Sequence, residues 1–186
     1  VADPDWYTRE RAAIRGARGW NPAQAILTVE RTTVFGDIYT HAIELAENSI
    51  FMGRVTVDRR QQGCIRFCYV TPDSRTPWRD NCQPDLVEQP VRLQSARRVI
   101  TEGERDRVLT REQQRVRPQF KSTRYSTPTY AQLADTCAEE IRLGADGESE
   151  MGVFHELCQQ QRADSLQTLL EEHMPAGRDV GIIYAS

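Results

Sequence analysis

Short groups of alternating apolar residues between positions 25 and 70 constrain this chain more than any other feature of its sequence. Gly, Asn, Asp or charged residues separate the groups, which are Leu27 and Val29; Val34, Phe35 and Ile38; Ile43 and Leu45; Ile50, Phe51, Val55 and Val57; and Ile65, Phe67 and Tyr69. Alternation with a period of two is typical of β-strands that bury one face. Strands this short cannot bury that face alone, so they must stack on one another.

The groups also recur at a nearly constant spacing. Placing Leu27 over Ile43 puts residues 33–35 over residues 49–51 at the same spacing of 16, whereas Gly36 and Gly53 are 17 apart. This pattern predicts a short right-handed parallel β-helix, in which each strand pairs with its equivalent in the next coil. An antiparallel meander of four to six strands would produce the same alternation. Asn48 is expected at a left-handed bend or a stacking position.

The fold class predicted is mainly β, with an α+β part at the C-terminal side. Residues 1–24 are expected to contain a helix over 3–18 that caps one end of the solenoid. Residues 25–91 contain the solenoid strands and then, from position 71 to position 90, a proline-rich loop in which neither strand nor helix is expected to continue.

The second half of the chain is less regular. Residues 92–117 are rich in Arg, Glu and Gln, and a charged flexible insertion is expected there, with edge strands or a solvated hairpin as the other possibility. Residues 118–186 are expected to form an α/β element. Its predicted parts are a strand over 120–125, helices over 130–143 and 150–173, and a final strand over 180–184.

Composition and motifs exclude several functional classes. No run of about 18 apolar residues is present, so no membrane insertion is expected. The 27 acidic residues outnumber the 24 basic ones, giving a formal net charge of −3, and this balance does not support a nucleic-acid partner. Neither a glycine-rich phosphate loop nor a Gly-x-Ser-x-Gly or His-Glu-x-x-His motif occurs, so no cofactor and no catalytic residue is predicted.

The cysteines leave the redox compartment open, because they are odd in number and form no Cys-x-x-Cys pair. Cys64 and Cys82 flank the proline-rich loop and form a candidate disulfide, which would stabilise the fold by about 3 kcal/mol by restricting the unfolded chain. The alternative is that both are buried free thiols that pack as small apolar side chains.

The proline-rich loop contains the strongest candidate for a binding surface. Arg75, Pro77, Trp78 and Arg79 place a tryptophan between two arginines, and exposed Trp and Arg side chains are common anchors of protein contacts. Alternatively, Trp78 folds back as a lid on the solenoid.

Two further site hypotheses involve other residues. His155 and Cys158 lie three apart on a predicted helix and could bind zinc with Cys137 and nearby carboxylates from Glu148, Glu150 and Glu156, although an ordinary packed helix is the favoured interpretation. A polysaccharide lyase would require charged groups on one strand face, for which Asp58, Arg59, Arg60 and Arg66 come nearest; such charges also suit the solvated outside of a coil.

Two stretches of the sequence are similar to known proteins. Residues 46–84, AENSIFMGRVTVDRRQQGCIRFCYVTPDSRTPWRDNCQP, and residues 118–186, with RPQFKSTRYSTPTYAQLADTC, GADGESEMGVFHELCQQQR and PAGRDVGIIYAS, resemble uncharacterised bacterial β-helix-like proteins associated with phage-tail-like contractile injection system and baseplate gene clusters. The resemblance implies the C-terminal portion of a longer protein with more strand repeats. Residues 92–117 depart from the compact version expected, and Cys68 stands where a Ser would be unsurprising.

These observations together predict a non-enzymatic structural or interaction module. It would bind other protein subunits in a homo- or hetero-oligomeric assembly, either phage-tail-like or extracellular. The alternatives are a β-helix enzyme acting on polysaccharide, whose fold alone would not establish its activity, and a zinc-binding regulatory domain.

Overall fold

The structure is a computed structural model that describes residues 12–16, 22–97, 100–157 and the helical positions 165, 166, 168–170, 172 and 173. Its described strands all pair in parallel and wind into a solenoid of about three turns, which confirms the predicted β-helix and excludes the meander. The strands are β1 (Ala12–Ile14), β2 (Ala23–Glu30), β3 (Thr33–Val34), β4 (Asp37–Glu47), β5 (Ile50–Phe51), β6 (Val55–Val57), β7 (Cys64–Arg66), β8 (Tyr69–Val70) and β9 (Trp78–Asp80).

The solenoid has three faces, and its described strands stack in four coils. The first coil contains β1–β3, the second β4 and β5, and the third β6–β8; the fourth is incomplete, with β9 as its one strand between the bridging residues Arg75 and Gln83. Face 1 consists of β1, the first part of β4, β6 and the bridging residue Arg75. Face 2 consists of β2, the second part of β4, β7 and β9. Face 3 consists of β3, β5, β8 and the bridging residue Gln83. Apolar residues of all three faces, including Ile38, Ile65 and Phe51, point inward and are almost completely buried.

The register between coils differs from the prediction at one point. Leu27 pairs with Ile43 at the expected spacing of 16, but Thr28 then pairs with Leu45, so the spacing changes to 17 inside face 2. The extra residue, Glu44, is exposed and forms a bulge. Thr33 therefore lies beside Ile50, and the superposition of residues 33–35 on 49–51 is wrong by one residue.

The corner between faces 2 and 3 has the same backbone conformation in every coil. Arg31, Asn48, Phe67 and Asn81 have φ values of 49°, 50°, 52° and 49°, in the left-handed region. The predicted left-handed bend at Asn48 is confirmed. The amide of each of the first three donates to a carbonyl of the next coil, as in Arg31 N–H to Glu47 O at 2.9 Å.

The residue after each of these bends forms a second column, made of Thr32, Ser49, Cys68 and Cys82. Each side chain donates to the carbonyl two residues earlier, from 2.7 Å for Ser49 Oγ to Glu47 O to 3.3 Å for Cys82 Sγ to Asp80 O. The Thr32 and Ser49 amides donate to the side chains of Ser49 and Cys68 in the next coil, at 3.1 and 3.3 Å. Cys68 therefore occupies the position that Ser49 holds one coil earlier.

Two predictions for the first hundred residues are wrong. Residues 12–14 of the expected N-terminal helix form strand β1, and most of the remaining positions of that helix lie outside the described residues. The proline-rich loop contains β9 and the first residues of helix α1 (Asp85–Ala96), which has Pro90 on its exposed side.

The charged segment 92–117 forms helices instead of the expected flexible insertion, and the strands or hairpin considered as the other possibility are also wrong. It contains the end of α1 and all of helix α2 (Glu102–Arg115), which a capping box starts: the Glu104 amide donates to Thr101 Oγ1, and the Thr101 amide donates to the Glu104 carboxylate. The two helices pack together through Glu88, which is 2% exposed and accepts a hydrogen bond from Gln113 Nε2 at 2.6 Å.

Residues 118–157 cover face 3 from the outside. Leu133, Cys137 and Ile141 pack with Ile50 and Tyr69 in a second apolar cluster. The expected helix over 130–143 is reduced to α3 (Glu139–Arg142), and the expected strand over 120–125 to isolated bridges at Phe120 and Ser122.

Of the last predicted elements, the helix over 150–173 is wrong in its first part. Residues 150–157 form bends and a 3-10 turn, His155–Leu157, whereas the described positions from 165 to 173 are helical. Residues 158 and 180–184 lie outside the described residues. Within the described residues, no helix is long and apolar enough to cross a membrane.

Candidate interaction surface

A groove opens where two consecutive coils differ in length. In the third coil the connection from face 1 to face 2 is the exposed segment 58–63, but in the fourth coil residues 76 and 77 make the same connection. Gly63 has a φ of +80°, and a Cβ there would lie 1.8 Å from the Ile43 carbonyl oxygen, so the long connection returns tightly over the second coil. The step from a long corner to a short one leaves a groove of about 560 Å³.

The groove has one wall from each coil. Arg60 and Gln61 come from the third coil, and Thr76 and Trp78 come from the fourth. Arg60 reaches across the groove, because its Nε–H donates to the Thr76 carbonyl at 3.3 Å.

Trp78 provides the largest exposed aromatic surface at this end of the solenoid. It lies on face 2 in register with the half-buried Cys64, and because side chains alternate along a strand, both point outward. Trp78 is 73% exposed, so it does not fold back as a lid on the solenoid.

Arg79 lines the groove but is mostly buried. It is in register with the buried Ile65 and so points inward at the last coil of the solenoid. Its guanidinium donates to Thr76 Oγ1 at 2.7 Å and to the Ser74 carbonyl at 3.2 Å, and it pairs with Asp85 at 3.3 Å. These bonds satisfy polar groups of the last coil that a further coil would otherwise bond to. Arg79 therefore covers the end of the apolar core.

Of the other two residues of the predicted loop, only Arg75 lies apart. Arg75 is exposed but lies on face 1, bridged to Thr56, and does not line the groove. Pro77 is buried in the tight corner and lines the groove together with Trp78 and Arg79. The structure therefore keeps three residues of the predicted set and adds Arg60, Gln61 and Asp85, which could have been found from the unequal spacings of 19 and 14 residues between paired positions of successive coils on face 2.

The candidate disulfide is not formed, since Cys64 and Cys82 are free thiols in the structure. Cys64 points outward from face 2, but Cys82 is buried in the inward column. Two side chains on opposite sides of a sheet cannot be bridged without moving the backbone. Burial raises the pKa of the Cys82 thiol to about 11 and raises that of the Cys68 thiol further.

The described residues among those proposed for zinc are not grouped. Cys158 lies outside the described residues, and within those residues no three or more His, Cys, Asp or Glu side chains come together as a metal site. His155 Nδ1 is 2.8 Å from Ser149 Oγ. Cys137 is buried in the cluster against face 3 and accepts a hydrogen bond from the Gln119 amide.

The charged residues considered for a lyase also lie apart. Arg66 is on face 2 and pairs with Glu47 at 2.9 Å, which raises the pKa of its guanidinium. Asp58, Arg59 and Arg60 belong to the exposed connection 58–63, where Asp58 lies 3.9 Å from His41 Nδ1. These residues therefore do not form the group on one strand face that a lyase would require, and all four are exposed.

The electrostatic character of the groove depends on Arg60. Asp85, the carboxylate at one end of the groove, is paired with Arg79. Among the described residues, Arg60 makes no ion pair, and only its Nε–H has a protein hydrogen-bond partner. The groove therefore combines a broad aromatic surface with an uncompensated positive charge.

Comparisons with protein-family models, with curated proteins and with solved structures found no match to this chain.

Proposed function

We propose that this protein is a non-enzymatic structural and interaction module that binds other protein subunits through the groove surface around Trp78. The observation that carries the proposal is the 73% exposure of Trp78 on a hydrogen-bonded strand of the last coil. Large aromatic side chains held on rigid elements lose little conformational entropy on binding and dominate many protein interfaces.

The other end of the solenoid supports an assembly role independently. The apolar residues of the first coil, Ile14, Leu27, Val29 and Val34, are only partly buried, whereas their equivalents in the second coil are almost completely buried. Among the described strands, β1 and β2 pair on one side only. Solenoids need a cap or a neighbour over such an end.

The kind of assembly is a narrower proposal. A phage-tail-like or baseplate-like particle is supported by the resemblance of residues 46–84 and 118–186 to proteins of such gene clusters.

The test compares two variants that each remove an exposed aromatic side chain. Trp78→Ala should reduce recovery of the native partner in affinity purification from cells of the source by at least tenfold. Tyr125→Ala is the matched control, because Tyr125 is 80% exposed on a distant segment. Circular dichroism and the denaturation midpoint establish that both variants fold.

Equal recovery with Trp78→Ala and wild type would show that this surface is not the binding site. A protein that stays monomeric in sedimentation velocity at high concentration, and recovers no partner in either form, would contradict the assembly function itself.

A further inference from the structure

The groove beside Trp78 has a chemistry that selects one class of partner segment. Its long wall is formed by the connection 58–63, which projects because the third coil has more residues than the fourth. With a volume of about 560 Å³ between two coils, the groove can accommodate a short extended segment of a partner. This inference rests on the proposed function and adds the identity of what is bound.

The charge of the groove points to an acidic segment. The Nη groups of Arg60 have no protein partner among the described residues, although Nε is fixed by the Thr76 carbonyl. This bond holds the guanidinium in the groove with its remaining donors available. Guanidinium groups bind carboxylates through paired hydrogen bonds and favour them over neutral acceptors.

The neighbouring charges are mixed, so the preference rests on Arg60. Arg59 and Arg75 are exposed near the groove and make no ion pair among the described residues, while the groove carboxylate Asp85 is already paired with Arg79. The exposed carboxylates Asp58, next to Arg59, and Asp80, on the outward side of β9 with Trp78, partly offset these charges. Charges outside the groove are screened within about 8 Å at physiological ionic strength, so Arg60 should dominate.

We infer that the groove binds an extended acidic peptide segment of a partner protein, with a carboxylate on Arg60 and the neighbouring part of the segment packed on the Trp78 ring. Trp78 supplies the apolar contact area, and Arg60 supplies the selectivity for the acidic side chain. Gln61 and Thr76 line the two walls and can bond to the peptide backbone.

The probe for this inference is fluorescein-labelled hexaglutamate, with hexaglutamine and hexalysine as matched peptides, measured by fluorescence anisotropy. Hexaglutamate should bind to the intact chain, weaken as salt rises from 50 to 300 mM, and bind at least tenfold more tightly than hexaglutamine. Arg60→Gln and Trp78→Ala should each weaken this binding about tenfold.

Arg59→Gln is the control, because it removes the same charge from the adjacent exposed residue that does not line the groove. It should change the affinity less than twofold. Equal losses in Arg59→Gln and Arg60→Gln would overturn the inference, since they would mean general charge attraction and not a site at Arg60.

Two other outcomes separate this inference from the proposed function. If recovery of the native partner requires Trp78 but hexaglutamate does not bind, the inference that the groove binds an acidic segment is overturned, and the proposal that the Trp78 surface binds a protein partner is retained. If trigalacturonate binds through Arg60 and Trp78 more tightly than hexaglutamate, the groove takes an acidic sugar and the inference is overturned.

Discussion

Gly53→Ala tests whether the coils stack as closely as the structure requires. Gly53 lies directly over Gly36, and a Cβ at position 53 would be 2.2 Å from both the carbonyl carbon and the carbonyl oxygen of Gly36. Both of these atoms belong to the backbone, so they cannot turn away as a flexible side chain could. A Cβ contact needs at least 3.0 Å, so the two coils must separate locally by about 0.8 Å.

The energetic cost follows from what this separation breaks. Hydrogen bonds of 2.9 Å from the Ile38 amide to the Arg54 carbonyl and of 3.0 Å from the Met52 amide to the Val34 carbonyl flank the contact. Lengthening both by the required distance takes them beyond hydrogen-bonding range, at about 1 kcal/mol each. Strained packing adds about 1 kcal/mol, so Gly53→Ala should lower the free energy of unfolding by about 3 kcal/mol.

Equilibrium urea denaturation followed by circular dichroism measures this change. Gly103→Ala is the matched control, because Gly103 lies in α2 with nothing within 4 Å of an added Cβ. Alanine favours a helix over glycine, so the control should raise stability by up to about 1 kcal/mol. A Gly53→Ala protein within about 0.5 kcal/mol of wild type would refute the stacking of Gly53 on Gly36.

Three further changes probe the buried polar groups. Burial raises the pKa of the Glu150 carboxyl from 4.5 to about 7. The native state therefore binds the proton of this carboxyl more tightly than the unfolded state does, and the protein loses stability as the pH rises from 4.5 through 7. The free energy of unfolding of Glu150→Gln, measured by denaturation, should therefore equal that of wild type near pH 4.5 and exceed it by about 3 kcal/mol at pH 8. A difference between the two proteins that does not change with pH would contradict this reasoning. Cys68→Ser keeps the bond to the Arg66 carbonyl and should change the free energy of unfolding by less than about 1 kcal/mol. Cys68→Ala should lower it by about 2 kcal/mol, because the Ser49 amide is left without a partner. Equal effects of the two variants would contradict the hydrogen-bonded column that contains Ser49 and Cys68. Arg79→Ala should lower the thermal midpoint by several degrees, since it leaves buried groups of the last coil unpaired, while Arg75→Ala should leave the midpoint unchanged.

The sequence predicted the solenoid because its determinants are local. Inward apolar residues at every second position, such as Val55 and Val57, specify short half-buried strands, and Asn48 specifies a left-handed bend. The capping box of α2 was also present, as Thr101 followed three residues later by Glu104, but the high charge of this segment favoured the wrong interpretation. In the 130–143 segment, by contrast, a helix was predicted that does not form over its whole length. Leu133, Cys137 and Ile141 are buried as predicted, but they do not belong to one helix.

The candidate site was only partly predictable, since its shape depends on how coils of different length align. Trp78 could be identified as a surface anchor from its composition and neighbours. Its neighbour Arg79 could not be assigned to the core, because the direction of a side chain depends on the register of β9 against β7. Arg60 is 18 residues before Trp78, and no local pattern places these two residues on one groove.

The sequence by itself determined that short strands must stack, roughly where they bend, and that Trp78 lies among charged residues. Only the tertiary structure decided the bulge at Glu44, the inward position of Arg79 and the groove between the third and fourth coils. The physical reason is that periodicity fixes which side of a strand is buried, whereas register and the difference in coil length are settled by the packing of one coil against the next.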